Sequence, residues 1–273
     1  RPKAADEVRV GARCAEKSQA SRRNLTSGSL PESSTGIALE IQDPPAALED
    51  RARKELAKGY QKVKLKIEPG HDIDFVGAVR EAYPDAPLMA DANNAYTLAD
   101  TPRLAKLDAF NLMMIEQPLA HDDLVRHAEL QRALRTPICL DESIVSVERA
   151  EDMLTLKSGR IINIKPGRVG GFQQSRAIHD LCLANDIPVW CGGMLESGVG
   201  RAYNVALASL PGFTKPGDVS PSARYWEQDI VTPEWTMSAT GMVKVPTDKP
   251  GIGVEVNVNR IDELTVRSTV LRA

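Results

Sequence analysis

The chain of 273 residues carries a formal net charge of −3 and is 42% hydrophobic. That length can bury a substantial core, as one large α/β domain or two smaller ones, and the nearly balanced, scattered charges argue against a nucleic-acid-binding surface. No apolar run approaches membrane-spanning length, and the opening residues lack the apolar stretch of a signal peptide.

Residues 1–35 read as a polar segment without a core of its own, rich in Ser, Arg and Lys. From Ile37 the chain settles into a rhythm of short apolar runs: "IALEI", "KVKLKI", "PLMADAN", "MMIEQP", "PICLDES", "RIINIKP", "PVWCGGM" and, more weakly, "FTKPGDV". Segments with helical spacing lie between them. In the first, Asp43 is expected to cap and Pro44 to enter the first turn; Leu48, Ala52, Glu55 and Leu56 carry the period to Gly59. Six further connectors follow the same logic, from "HDIDFVGAVREAY" to "GVGRAYNVALASL". Eight alternations of strand and helix imply parallel strands joined by helical crossovers. The expected fold is a (β/α)8-type barrel over residues 36–220. An open doubly wound sheet is the alternative, disfavoured because no glycine-rich dinucleotide fingerprint follows the first strand. Residues 221–273 break the rhythm and are expected to form an extended appendage that leaves the barrel.

Five charged residues interrupt the apolar strands: Lys66, Asp91, Glu116, Asp141 and Lys165. Successive members are separated by one strand–helix unit, which predicts a common height at the C-terminal ends of neighbouring strands, where barrel active sites sit. Alone, each is unremarkable: an Asp there is usually a turn former or cap, and a Lys can reach to solvent. Together, three converging carboxylates would repel one another without a cation, and all-oxygen ligands select a hard ion, Mg²⁺ first and Mn²⁺ as a substitute. A metal flanked by two lysines suits removal of the proton α to a carboxylate from a small-molecule substrate. In "KVKLKI", Lys66 is then the base, and Lys64 tunes it or binds the substrate carboxylate. Lys62 shares their parity but lies lower, and is read as solvated or structural.

The cysteines, Cys14, Cys139, Cys182 and Cys191, show no metal spacing, and those in "PICLDES" and "PVWCGGM" suit buried free thiols. The histidines, His71, His121, His127 and His179, fall outside the strand ends and are expected at solvated positions. A soluble, cytoplasmic protein without nucleic-acid or membrane partners is the expectation, with a homo-oligomer left open.

With these residues in view the chain resembles the enolase superfamily, in its muconate-lactonizing-enzyme subgroup. Within it the nearest likeness is to o-succinylbenzoate synthases and N-succinylamino acid racemases. The matching stretches are "KLKIEPGHD", "DANNAYTLAD", "MMIEQPLAHDDL", "TPICLDESI", "NIKPGRVGG" and "PVWCGGMLESGVGRAYNVALASLP". The superfamily's lysine and magnesium chemistry is well known. The resemblance implies a modified (β/α)7β barrel, with Asp91, Glu116 and Asp141 as metal ligands. It implies Lys66 as base and Lys165 as the lysine on the opposite face. In the synthase reaction of menaquinone biosynthesis, Lys66 would take the α-proton and assist loss of water. In racemisation or dipeptide epimerisation the two lysines would act from opposite faces. Asn93, Gly193 and Met194 are implied as pocket contacts, and Glu196 as a pocket or a structural residue. Members begin with an α+β capping domain, which residues 1–35 do not resemble; an incomplete or missing cap, and with it a catalytically impaired barrel, is therefore a further expectation. The appendage is the part that helps to complete the cap. A Schiff-base aldolase with Lys66 or Lys165 as nucleophile leaves the three carboxylates unexplained.

Overall fold

The computed structural model describes residues 29–42, 44–248 and 250–269. Seven short strands, β2 (Ile37–Leu39), β3 (Val63–Lys66), β4 (Leu88–Asp91), β5 (Ile115–Glu116), β6 (Ile138–Leu140), β7 (Ile161–Ile164) and β8 (Val189–Cys191), pair in parallel in chain order. A short strand, β1 (Glu32–Ser34), precedes them. The sheet closes through residues 215–218. Lys215 and Asp218 donate to the carbonyls of Val189 and Cys191, while Gly217 accepts from Gly36 and donates to Ser34. The weak eighth run thus fills the eighth position although it forms no regular strand. Its proline and glycine leave too little ladder.

Helices α1 (Pro45–Leu56), α2 (Ile73–Ala82), α3 (Thr101–Leu104), α4 (Leu124–Ala133), α5 (Val147–Leu156), α6 (Phe172–Ala184) and α7 (Gly198–Ala208) fill the connectors. Side-chain caps start three of them: Asp72 accepts from Ile73 N, Asp123 from Arg126 N and Ser146 from Arg149 N. Asp43, the expected cap of α1, lies outside the described residues, and Pro44 takes the cap position without a side-chain bond. The short α3 is flanked by 3₁₀ turns at Leu98–Asp100 and Ala105–Phe110, so this connector holds one helical turn where a longer helix is expected.

Period two sorts each strand. Val63, Leu65, Leu88, Ala90, Ile115, Ile138, Leu140, Ile162 and Ile164 belong to the large core beneath the helices. The residues of opposite parity, Met89, Met114, Cys139, Ile161 and Trp190, form a separate buried cluster that floors the barrel interior. Two residues beyond Met89, Met114 and Cys139 come Asp91, Glu116 and Asp141, and beyond Ile161 come Asn163 and then Lys165.

The predicted residues do not share one hydrogen-bond register. Lys66 pairs with Asp91 and Asp91 with Glu116, but Glu116 pairs with Cys139, and Cys139 with Ile161. Asp141 and Lys165 therefore lie further along their strands than register neighbours would. Closing a sheet into a barrel requires such a stagger.

The appendage does not leave the barrel. Its strand β10 (Met242–Lys244) pairs with β1, and β9 (Val231–Thr232) pairs with β11 (Glu255–Val256), ahead of α8 (Val258–Leu264). Val231, Trp235, Val243 and Val245 join the main core. Cys139 and Cys191 are free and buried, as expected; Cys182 is free and buried too, and Cys14 lies outside the described residues. Two histidines overturn the solvated reading. His127 accepts from Leu119 N and sits on the Asp123 carbonyl, while His179 accepts from Gly212 N. Both are buried, each serving a loop amide that no regular element satisfies. Among the described residues no helix is long and apolar enough to cross a membrane.

Candidate active site

All the predicted site residues but one line, at the C-terminal ends of the strands, a cavity of about 1020 Å³. Lys64, Lys66, Asp91, Asn93, Asp141, Lys165, Gly193 and Met194 face it, and Glu116 lies fully buried just beneath. The strands bearing Lys66 and Lys165 are four positions apart in a ring of eight, so the two lysines approach from opposite walls.

Every carboxylate is engaged. Lys66 Nζ lies 2.8 Å from Asp91 Oδ2 and also donates to Asn93 Oδ1. Lys64 Nζ stands 3.2 Å from Asp91 Oδ2, 3.2 Å from Glu116 Oε2 and 2.7 Å from Asp218 Oδ2. Asn163 donates to Glu116 Oε1 at 2.7 Å. On the far wall Lys165 Nζ lies 2.7 Å from Asp141 Oδ2, and Arg168 takes the other Asp141 oxygen while bonding the carbonyls of Asn163 and Ile144. Gln117 accepts from the amides of Asp141 and Ser143 and fixes the start of that loop. Asn93, in the left-handed region at φ 41°, donates its amide to Glu142 Oε1 at 3.1 Å.

The charges set one another. Burial opposes the Lys64 ammonium, but Asp218, Glu116 and Asp91 outweigh it and hold the group well above the usual lysine range. Burial opposes the Lys165 ammonium as well, but Asp141 outweighs it and raises the group above its ordinary value. Asp91 is held low by Lys64 and Lys66 in spite of burial, and Asp218 by Lys62 and Lys64. Glu116 goes the other way: burial, with Asp91 beside it, pushes its carboxyl up to about 8.

Among the described residues no three His, Cys, Asp or Glu side chains are gathered closely enough to hold a metal ion as they stand. Each predicted ligand is turned onto an ammonium, a guanidinium or an amide instead. The donor set nevertheless fits a hard divalent cation. It is all oxygen, Glu116 is short of compensating positive charge, and the buried acceptors Asn163 Oδ1 and Glu142 Oε2 have no hydrogen-bond partner.

Residues 47–260 match the family model described as enolase C-terminal domain-like. The chain belongs to this family. Over 238 residues it is 53% identical to the o-succinylbenzoate synthase of Geobacillus kaustophilus, with 87% of this chain and 63% of that protein covered. Over 254 residues it is 50% identical to an N-succinylamino acid racemase of an Amycolatopsis species, with 93% and 67% covered. A crystal structure of an enolase-superfamily member from Enterococcus faecalis V583, 45% identical, superposes with a TM-score of 0.84 over 89% of this chain and 65% of that one. The chain thus spans a little under two thirds of the synthase's length.

Four side chains in and around this candidate site escape sequence reasoning. Asp218 stands on the irregular closing segment, where no strand pattern announces it. Gly193 lies so close to it that a Cβ would run into the Asp218 carbonyl. Arg168 is in a loop, three residues past Lys165. Asn163 shares the parity of Lys165, and that signal could have found it. Lys62 is not solvated at all: it is fully buried, 3.0 Å from Asp218 Oδ1 and 3.7 Å from the centroid of the Trp190 ring. The same parity that turns Lys64 inward turns Lys62 inward, and Asp218 supplies the countercharge. Glu196 shows the structural role, accepting from Met194 N and Asn204 on its own loop while also lining the cavity.

Proposed function

We propose that this barrel removes the proton α to a carboxylate in an o-succinylbenzoate synthase-like dehydration, the lyase step of menaquinone biosynthesis. The observation that carries the reading is the pair of lysines on opposite walls, with Asp91, Glu116 and Asp141 between them. Those carboxylates would hold Mg²⁺, or Mn²⁺ in its place, and the ion supplies positive charge to the substrate carboxylate as negative charge builds there. Lys66, on the wall of β3, takes the α-proton and returns it to the departing hydroxyl. Lys165 faces the enediolate as an ammonium, held charged by Asp141. Asn93 and Lys64 bind at the carboxylate end, and Gly193 and Met194 line the substrate's flank. The cavity is the binding space, with the appendage contributing Tyr225 to its lining; the next residue, Trp226, donates to the Glu196 carbonyl. The appendage over residues 221–273 is in this reading part of the cover of a barrel spanning 36–220. Three buried, unpaired thiols suit the reducing cytoplasm.

N-succinylamino acid racemisation is the second reading, favoured by the same opposed lysines: each would serve as base toward one enantiomer and acid toward the other. Incubation in D₂O with Mg²⁺ tests the shared half-reaction. Loss of the α-proton NMR signal is expected from the synthase substrate or an N-succinylamino acid, and abolished by EDTA and by Asp141→Asn. Exchange that persists in both cases contradicts the proposal.

A further inference from the structure

One buried ammonium has no task in the proposed reaction. Lys62 does not line the cavity, yet its side chain is fully shielded from solvent at the level of the apolar floor. Trp190, one of the residues of that floor, is its aromatic neighbour. A lysine in such a place costs several kcal/mol unless it is paired. The chain makes room for it, because a Cβ on Gly36 would stand 2.5 Å from Lys62 Cε. Its ammonium rests 3.7 Å over the Trp190 ring and 3.0 Å from Asp218 Oδ1.

Asp218 is the hinge of the arrangement. Its second oxygen receives Lys64 Nζ at 2.7 Å, and Lys64 in turn stands 3.2 Å from both Asp91 Oδ2 and Glu116 Oε2. The Lys62–Asp218 contact is an ion pair without hydrogen-bond geometry, so its hold on Oδ1 is one of charge. An ammonium against each oxygen opposes rotation of the carboxylate more than an ammonium against one. We infer that Lys62 is a positioning residue: by taking Asp218 Oδ1 it aims Asp218 Oδ2 at Lys64, and so fixes the Lys64 ammonium between Asp91 and Glu116. The chain of contact runs from the floor, through the closing segment of the barrel, to the mouth. The kinetic consequence rests on the proposed function; the structural consequence does not.

Two readouts test it. Lys62→Met keeps the length and removes the charge. It is expected to lower the kcat of α-proton exchange about 10- to 100-fold with KM within about twofold, since Lys62 does not meet substrate. Asp218→Asn should lower kcat similarly, and Lys62→Met should add nothing in the Asp218→Asn background. A packing role alone would lower Tm, leave kcat of the folded protein within about twofold, and act equally in both backgrounds; that result overturns the inference. Crystal structures supply the second readout. Asp218 rotated and Lys64 Nζ moved away from Glu116 in Lys62→Met are expected, and both side chains unmoved would overturn it. Should Lys62→Met not fold, Asp218→Asn preserves the shape, and Lys64 unmoved in that variant overturns it too. If the wild type exchanges no α-proton, the proposed function falls, and the crystal structures still decide this inference.

Discussion

Met114, just before β5, and Glu116, at its end, stand two residues apart and face the same barrel interior, yet they belong to different chemistries. Met114 sits in the floor with Met89, Cys139, Ile161 and Trp190, held by packing. Glu116 sits in the mouth, where burial and a neighbouring carboxylate push it up to about 8. Asp91 stands above Met89 and Asp141 above Cys139 in the same way. The floor lowers the free energy of the folded state, whereas the mouth stores unfavourable desolvation that a cation and a substrate can relieve. One strand periodicity thus builds a stable half and a reactive half, two residues apart.

Substitutions at these two positions break this pairing apart. Glu116→Gln is expected to lower α-proton exchange at least about 100-fold, because a ligand oxygen is lost. The same change should raise the Tm of protein stripped of divalent ions, by about 2–4 °C for each kcal/mol of desolvation removed. The sign follows from the raised carboxyl. The unfolded glutamate ionises near its ordinary value of 4.5 while the folded one keeps its proton up to about 8, so stability falls as pH rises between the two. The Tm advantage of Glu116→Gln should therefore grow from about pH 5 to about pH 8. Met114→Ala should do the reverse, costing about 2–5 kcal/mol of stability in denaturant titrations while the folded protein keeps kcat/KM within about threefold.

A smaller effect is expected at the loops that frame the mouth. Arg103 and Tyr96 both bond the Asp72 carboxylate, tying the turn after β3 to the loop that carries Asn93. Burial opposes that charge, but Arg103, the Ile73 amide and Tyr96 outweigh it and hold the carboxyl below its ordinary value. Its contribution is therefore present above about pH 4 and is lost as pH falls through the lowered value. Asp72→Asn should cost about 1–2 kcal/mol at pH 7, with Arg103 partly exposed, and the difference from wild type should vanish in acid. Smallest of all, Met194→Ala on the exposed β8–α7 loop should leave Tm within about 1 °C and raise KM a few-fold, as an edge contact would.

The parts of this arrangement that repeat were legible in the sequence. Alternation placed Val63 and Leu65 on one face and Lys64 and Lys66 on the other. The strand–helix spacing from Lys66 to Lys165 marked one end of one barrel. What escaped depends on closure. The stagger that lifts Asp141 above the register of Glu116 is a property of a ring, not of any one strand. Asp218 sits on an irregular segment whose Pro and Gly conceal its role, and without Asp218 the burial of Lys62 had no explanation. His127 and His179 were misjudged for a related reason: the loop amides they satisfy exist only once the helices pack.

The opposed lysines can be tested separately. In D₂O with Mg²⁺, Lys66→Ala and Lys165→Ala are each offered the two enantiomers of one N-succinylamino acid, and the α-proton signal is followed by NMR. In the racemisation reading one base is left on one wall, so each variant is expected to exchange the α-proton of a single enantiomer, and the two variants to choose opposite ones. Exchange of both enantiomers by either variant, or the same choice by both, would contradict two bases facing each other across the carboxylates.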